Sequence, residues 1–216
     1  MFDLNGYKKY VGDKSGASYV SGLKSLEKIL NISIDEEFQK DNGNSMLEQL
    51  SKMKNDETLS ATERKHASDM RSHLKRYIAF SMKKQFRVWF IQQPQKDNAE
   101  KSYKPNTIDA AIRLLESGVP TLGIDKYNRL NCFEIVSYIV FKPIYDKCYT
   151  LAEKYDIENN HRDFENGLDY YLSFLKELFI HSIFDTVNEM LKAYKEDFTA
   201  RDIEESYKWK AVGTYK

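Results

Sequence analysis

One helical pattern occurs twice in this chain of 216 residues, and the repetition limits the folds that the chain can adopt. The segment "ASDMRSHLKRYIAF" (67–80) aligns without a gap with "HRDFENGLDYYLSF" (161–174). The aligned apolar and aromatic pairs are Met70 with Phe164, Leu74 with Leu168, Tyr77 with Tyr171, and Phe80 with Phe174. These positions recur at helical spacing, so each copy predicts an amphipathic helix with one buried face.

Three further pairs of segments match in the same order. They are "SYVSGLKSLE" (18–27) with "TIDAAIRLLE" (107–116), "SID" (33–35) with "GID" (123–125), and "NSMLEQL" (44–50) with "NCFEIVS" (131–137). The offset between partners drifts between 87 and 94 residues, as small insertions and deletions in loops would cause. We therefore predict an internal duplication, with repeats at 1–93 and 94–180 and a C-terminal helical extension at 181–216.

Few residues in this chain break helices. It holds 4 Pro and 9 Gly, while 41% of its residues are hydrophobic, and this composition favours helices over a turn-rich β fold. Only "GVPTLGI" (118–124) and "FRVWFI" (86–91) could form strands, and both fit loops or helix ends better. We predict an all-α fold of two tandem bundles, each of four or five helices, followed by a C-terminal helix.

Local signals predict where several helices begin. In the first repeat, "FDLNGYKKYV" (2–11) is a short leading helix, Ser18 caps the second helix, and "SATE" (60–63) has capping-box form. In the second repeat, "FRVWFIQ" (86–92) replaces the leading helix and "QPQKDNAEKSYKPN" (93–106) is a loop. Three predicted helices follow. The first begins after a cap at Asn106–Thr107, the second spans Cys132–Tyr155 with a bend at Pro143, and the third starts near His161.

The basic residues are concentrated in the last helix of the first repeat. The chain has 33 basic and 33 acidic residues and no formal net charge. Between Ala61 and Gln93, however, the sequence holds eight Lys and Arg residues but only two acidic residues, Glu63 and Asp69. In helical projection a single stripe opposite Leu74 holds Lys65, Ser72, Arg76, Lys83 and Arg87. Since Asp69 is the only acidic residue between Arg64 and Arg87, few of these cations can form ion pairs within the helix. A stripe of unpaired cationic and small polar side chains can contact DNA bases and phosphates.

The matching face of the second copy is neutral to acidic. It carries Arg162, Asp163, Asn166, Asp169 and Tyr170, while Arg113, Lys126 and Arg129 lie elsewhere in that repeat. This copy is therefore a poor reader of phosphate through the same helix. Either the other basic side chains contribute to binding, or the second repeat serves as a scaffold or a protein-contact surface.

No recognisable catalytic or metal-binding pattern occurs in the sequence. Cys132 and Cys148 stand sixteen residues apart without a CxxC motif, and the four histidines are dispersed. We interpret His66 and His73 as surface residues beside phosphates. The expected protein has no enzymatic activity and no cofactor, makes no use of a membrane, and resides in the cytoplasm.

The order of these segments resembles a known family. "YKKYV", "SGASYVSGLKSLEKIL" and "RSHLKRYIAF", with their counterparts in the second repeat, are similar to the SAM-like core-binding domain of phage integrases and other tyrosine recombinases. That resemblance implies a helical bundle that clasps duplex DNA with its second and last helices. The recombinase catalytic domain has no counterpart here. The tail "SYKWKAVGTYK" resembles a segment before the AAA+ motor of McrB-type restriction ATPases, although no Walker A motif is present.

These observations predict a non-catalytic module that binds double-stranded DNA for target recognition in a bacterial restriction or anti-phage defence system, with an AAA+ motor or a nuclease as partner. The expected DNA-binding residues are Lys24, Lys28, Arg64, Lys65, Arg71, Ser72, Lys75, Arg76, Lys83, Lys84 and Arg87. Two alternatives stay open. One is a helical adaptor that self-associates or docks a partner protein, and the other is a small nuclease with an unrecognised site.

Overall fold

Helices follow one another along most of the part of the chain that the structure describes, as the shortage of breakers predicts. The computed structural model describes residues 3–95 and 98–199. The α-helices in that part of the chain are α1 (Leu4–Val11), α2 (Asp13–Leu30), α3 (Ile34–Asp41), α4 (Asn44–Asn55), α5 (Ala61–Ile91), α6 (Pro105–Ser117), α7 (Tyr138–Glu158) and α8 (Asp163–Thr199). Three short 3₁₀ helices lie between α6 and α7, at Val119–Leu122, Asp125–Tyr127 and Cys132–Glu134. The predicted all-α class is confirmed.

The chain divides into two compact units, Met1–Lys176 and Glu177–Lys216. Helix α8 begins in the first unit, and its part from Glu177 onward belongs to the second. The predicted division at residue 93 falls inside the first unit, and the duplication stays a prediction. The C-terminal helical extension predicted at 181–216 is described up to Thr199 as the continuation of α8, and its remainder lies outside the described residues.

Helix α5 begins at the predicted capping box. The Glu63 backbone N–H donates to Ser60 Oγ, and the Ser60 N–H donates to the Glu63 carboxylate over 2.8 Å, so each residue satisfies a backbone group that the helix leaves free. The helix then continues for 31 residues. "FRVWFIQ" is therefore not a separate leading helix, because no Gly or Pro interrupts α5 before Ile91.

Three other predicted boundaries are wrong for local reasons. Ser18 lies inside α2, which starts directly after Gly12, whose φ of 85° suits glycine and ends α1. Helix α6 starts at Pro105, ahead of Asn106–Thr107, because the fixed φ of proline suits the first helical position. The predicted helix over Cys132–Tyr155 is split, since the backbone is extended at Ile135 before α7 begins at Tyr138.

The segment predicted as a loop after α5 contains a small antiparallel hairpin, β1 (Pro94–Gln95) paired with β2 (Asn98–Ser102). Tyr170 of α8 holds this hairpin, since its hydroxyl donates to the Pro94 carbonyl over 2.8 Å. Pro94 removes a backbone donor from β1, which is tolerable in a strand this short. The hairpin therefore returns the chain from the end of α5 to α6.

Helix α5 is the central element of the first unit. Its N-terminal half buries Leu74 and Ile78, which lie in the same core as Leu23 and Leu26 of α2 and Leu50 of α4. Its C-terminal half buries a different face, since Ala79, Phe86 and Phe90 are buried although they project away from Leu74. The Phe86 ring lies 5.9, 5.3 and 5.6 Å from the rings of Phe133, Tyr171 and Phe174.

Three of the four aligned pairs are buried in both α5 and α8, and in the fourth Phe174 is buried whereas Phe80 is half-buried. Leu74 and Leu168 are fully buried, and Tyr77 and Tyr171 are nearly so. Helix α8 nonetheless begins differently from α5. The buried carboxylate of Asp156, from α7, accepts the backbone N–H groups of Phe164 and Glu165 at 3.3 and 2.7 Å. This cap, supplied by the preceding helix α7, positions the start of α8.

Candidate nucleic-acid interface

The predicted stripe on α5 faces solvent over its N-terminal half. Lys65, Ser72 and Arg76 are exposed, and each projects away from the buried Leu74. Within the described part of the chain no acidic side chain forms an ion pair with Lys65 or with the half-exposed Arg64. This half of the helix therefore offers cationic side chains that phosphate could bind.

Helix α2, which packs against α5, carries two further exposed lysines. Lys24 and Lys28 lie one turn apart, on the side of α2 opposite the buried Leu23 and Leu26. No described acidic residue pairs with either of them. We name Lys24, Lys28, Lys65 and Arg76 the open basic surface.

Tyr19 of α2 connects the two helices of this surface. Its ring lies 4.7 Å below the Arg76 guanidinium and its hydroxyl accepts a hydrogen bond from Arg76. The same ring meets His73 at 5.0 Å, and a Cβ at Gly22 would collide with the His73 ring. Local spacing gave no signal for Tyr19, because its partner Arg76 is 57 residues away in sequence.

A shallow cleft of about 340 Å³ opens between α2 and α5 at this point. Its lining includes Arg76, His66 and Ser72, which can donate hydrogen bonds, and Asp69, which repels anions. His66 is exposed, as the interpretation beside phosphate requires. His73 is half-buried against Tyr19, and burial lowers its pKa, with the Arg76 charge contributing in the same direction. A phosphate could reach His66 more easily than His73.

Four other cations of α5 form ion pairs with acids from other elements. Lys75 Nζ lies 3.1 Å from Glu134, Lys83 Nζ 2.6 Å from Glu116, and Lys84 Nζ 2.9 Å from Asp3, while Arg87 pairs with Asp109. Helix α5 therefore does not neutralise these four cations itself, and acids from other elements pair with them instead. Sequence spacing could not reveal these acids, because they lie 22 to 81 residues from their partners.

The Lys83 pair belongs to a larger polar cluster. The Tyr10 hydroxyl donates to Glu116 over 2.7 Å, and Lys83 Nζ lies 5.4 Å from the centre of the Tyr10 ring. Burial, followed by the hydrogen bond to Glu116, raises the pKa of the Tyr10 phenol, which keeps it a donor at neutral pH. Since Tyr10, Lys83 and Glu116 belong to α1, α5 and α6, this cluster joins three helices.

In two of the other ion pairs the cation lowers the pKa of its acidic partner. The hydrogen bond from Arg87 lowers the pKa of Asp109, and the hydrogen bond from Lys84 lowers the pKa of Asp3. Both carboxylates are therefore charged at neutral pH and hold the cations that the sequence assigned to DNA. Arg71 also has a partner inside the fold, since its Nε donates to Ser51 Oγ over 2.8 Å.

The corresponding face of α8 uses its polar side chains for packing against its neighbours. Asp169 accepts a hydrogen bond from the Tyr145 hydroxyl, and Glu165 accepts one from the Tyr149 hydroxyl over 2.8 Å. Arg113, Lys126 and Arg129 are exposed on α6 and the following segment. The prediction that this copy is a poor phosphate reader through its last helix stays a prediction.

No catalytic cluster stands out among the side chains that the structure describes. No three His, Cys, Asp or Glu residues in residues 3–95 and 98–199 lie close enough together to hold a metal ion. Burial raises the pKa of Cys132, and it raises that of Cys148 to about 11, so both thiols stay protonated at neutral pH. None of the described helices has the length and apolar character needed to cross a membrane.

Comparisons with models of protein families, with characterised proteins and with solved structures found no match for this chain. The resemblance to SAM-like core-binding domains therefore stays a proposal based on the sequence motifs.

Proposed function

We propose that the protein binds double-stranded DNA through the open basic surface formed by Lys24, Lys28, Lys65 and Arg76. The observation that carries this proposal is that these four side chains are exposed on two adjacent helices and that no described acid pairs with them. Lysine and serine side chains mainly contact phosphates, and contacts to phosphate position a protein on DNA without reading its sequence. The proposed binding is therefore largely independent of sequence.

The proposed surface is smaller than the stripe that the sequence predicts. Lys75, Lys83, Lys84 and Arg87 would have to leave an acidic partner before they could bind a phosphate. Arg71 is held by Ser51. We assign these five residues to the stability of the fold, and we keep Arg64 and Ser72 as neighbours of the proposed surface.

Duplex binding under changing salt tests the proposal. Each phosphate contact contributes about −0.9 to the slope of log K against log salt for duplex DNA. A triple variant, Lys24→Glu, Lys28→Glu and Lys65→Glu, should lose most of its affinity for a random duplex, and its slope should fall by about 3 units. Fluorescence anisotropy with a labelled duplex measures both quantities.

A charge-swapped variant is the matched control. Lys83→Glu combined with Glu116→Lys keeps the charge of the chain and the ion pair, but it removes a cation from α5. Its affinity for duplex should equal that of the wild type. Unchanged affinity in the triple variant would contradict the proposal, and a loss in the charge-swapped variant would return Lys83 to the DNA-binding surface.

The motifs shared with integrase core-binding domains and McrB-type proteins extend this proposal to target recognition in a restriction or defence system. An AAA+ motor or a nuclease would then act on the DNA that this protein binds. Purified candidates of those two classes, mixed with the protein on duplex, should form a ternary complex in a gel-shift experiment. Binding of the protein to DNA alone would support only the simpler function.

A further inference from the structure

A cleft of about 490 Å³ opens where α4 and α5 meet the segment that leads into α7. Ligand pockets in proteins span about 300–1,000 Å³, so this cleft is large enough to hold one. Its walls are partly apolar, since Leu47, Ile135, Val136 and Val140 line it, and Val140 is 56% exposed. The described lining contains no residue of the open basic surface. We name it the α4–α7 cleft.

Arg71 brings hydrogen-bond donors to this cleft that the fold does not use. Its Nε donates to Ser51 Oγ over 2.8 Å, and Ser51 Oγ in turn donates to the Leu47 carbonyl over 2.8 Å. These two bonds hold the guanidinium in place, but they engage only its Nε. No described residue accepts a hydrogen bond from the two Nη groups. A guanidinium with free Nη donors suits the paired oxygens of a carboxylate.

The charges around Arg71 favour one carboxylate over a polyanion. Lys52 and Lys75 also line the cleft, and so do Glu48 and Glu134. Lys75 Nζ is 3.1 Å from Glu134, so this lysine already has an acidic partner. The lining therefore has three cations and two acids, which leaves an excess of one positive charge. A nucleic acid would bring several phosphates close to the two glutamates, whereas a single carboxylate matches the excess.

Residues 135–137 present extended backbone with unused polar groups. The backbone is extended at Ile135 and at Ser137. Both ends are held by the fold, because the Ile135 carbonyl accepts the Tyr171 hydroxyl over 2.8 Å and the Ser137 carbonyl accepts the Phe141 N–H over 2.9 Å. Between them, the N–H and the carbonyl of Val136 have no hydrogen-bond partner in the described part of the chain. A residue in an antiparallel strand pair exchanges both of these groups with its partner.

We propose that the α4–α7 cleft binds an extended peptide segment of a partner protein, with an acidic residue beside apolar, β-branched ones. The peptide exchanges backbone hydrogen bonds with Val136, its carboxylate binds Arg71, and its apolar side chains pack against Leu47 and Val140. The free backbone groups favour a peptide over other ligands, since strand addition draws affinity from main-chain bonds and specificity from side-chain pockets. The open basic surface has no part in this binding, so the inference does not rest on DNA binding.

Titration of the isotope-labelled full chain with a synthetic peptide tests the proposal. The probe is a short acetylated and amidated peptide of alternating Thr and Val with one central Asp. It should shift the backbone amide signals of Val136 and Ser137 in two-dimensional NMR spectra. The same peptide with Asn in place of Asp should bind about tenfold more weakly or worse, because it lacks the charge-assisted bonds to Arg71. A backbone N-methylated peptide should also bind more weakly, because it cannot donate to the Val136 carbonyl.

Two variants of the protein complete the test. Arg71→Gln should lower the affinity for the Asp peptide to that of the Asn peptide. Arg129→Gln removes the same charge from an exposed position outside the cleft and should leave the affinity unchanged. The comparison of peptides needs no change to the protein, so it decides the matter even where Arg71→Gln fails to fold.

Four results would overturn the proposal. The first is the absence of amide shifts at Val136 and Ser137 with the Asp peptide, and the second is equal affinity for the Asp and Asn peptides. The third is a folded Arg71→Gln chain that binds the Asp peptide as the wild type does. The fourth is a random DNA duplex that shifts the same two amide signals and displaces the peptide, which would assign the cleft to nucleic acid.

Discussion

The two halves of α5 carry the same surface pattern and use it differently. Lys65 and Lys83 are 18 residues apart, which is five turns of an ideal helix, so both project in the same direction. Lys65 is exposed, whereas Lys83 is 2.6 Å from Glu116 of α6. Helical projection therefore gives the direction of a side chain but not what it meets there. The neighbouring helices decide whether a cation faces water or an acid.

The apolar side chains show the same difference between the halves. Over the N-terminal half, the side opposite Leu74 holds the exposed Ser72 and Arg76. Over the C-terminal half, that side holds the buried Phe86 and Phe90. Helix α5 therefore buries two sides over its C-terminal half, while Lys84 and Val88 remain exposed on the rest of its surface. The change near Ala79 marks where the second side begins to be buried.

The sharpest test of this difference is Phe86→Ala. Phe86 is fully buried among five other aromatic rings, so its loss leaves a cavity and should lower the free energy of unfolding by about 3–5 kcal/mol. Ser72→Ala, on the corresponding side of the exposed half, should change it by less than about 0.5 kcal/mol. Urea denaturation measures both. Similar effects of the two substitutions would remove the distinction between the halves.

The ion pair of Lys83 should give a smaller effect. Lys83 and Glu116 are 30% and 28% exposed in their side chains, so solvent screens their attraction only in part. A double-mutant cycle with Lys83→Ala and Glu116→Ala should give a coupling energy of about 1 kcal/mol. Lys65→Ala, five turns earlier, should leave the stability unchanged within about 0.5 kcal/mol. A coupling energy of zero would show that the pair does not fasten α6 to α5.

The smallest expected effect is a pH dependence from His73 in the exposed half. Burial, together with Arg76, lowers its pKa from the ordinary value of 6.5, while Asp69 acts in the opposite direction. Below pH 6.5 the imidazole of His73 is protonated more readily in the unfolded chain than in the folded chain. Protonation therefore favours the unfolded chain, and the free energy of unfolding decreases as the pH falls.

His73→Gln should therefore flatten the decline of stability between pH 7 and about pH 5. The exposed His66→Gln is the matched control and should keep the wild-type pH profile. Thermal or urea unfolding across this range measures the effect. A steeper decline in His73→Gln would mean that the folded protein stabilises the protonated ring.

Several parts of the fold followed from short-range chemistry. The capping box of Ser60 and Glu63 fixes the start of α5, because both partners lie within one turn. The spacing of Met70, Leu74 and Tyr77 identified the buried face correctly, since burial in an amphipathic helix follows its period. The candidate residues of α2 could also be placed outward in this way, because Lys24 and Lys28 oppose a single apolar face.

The sequence by itself determined the all-α class, the capping box of α5 and the direction of each side chain along a helix, since these depend on neighbours within a few residues. Only the tertiary structure decided which cations of α5 remain open. Glu134, Glu116 and Asp3 reach them from 59, 33 and 81 residues away, and no local spacing predicts such encounters. The cap that Asp156 forms on α8 and the contact between Tyr19 and Arg76 also depend on the packing of separate helices. Packing brings distant charges together because the apolar faces must first be buried, and the polar pairs form where that burial places them.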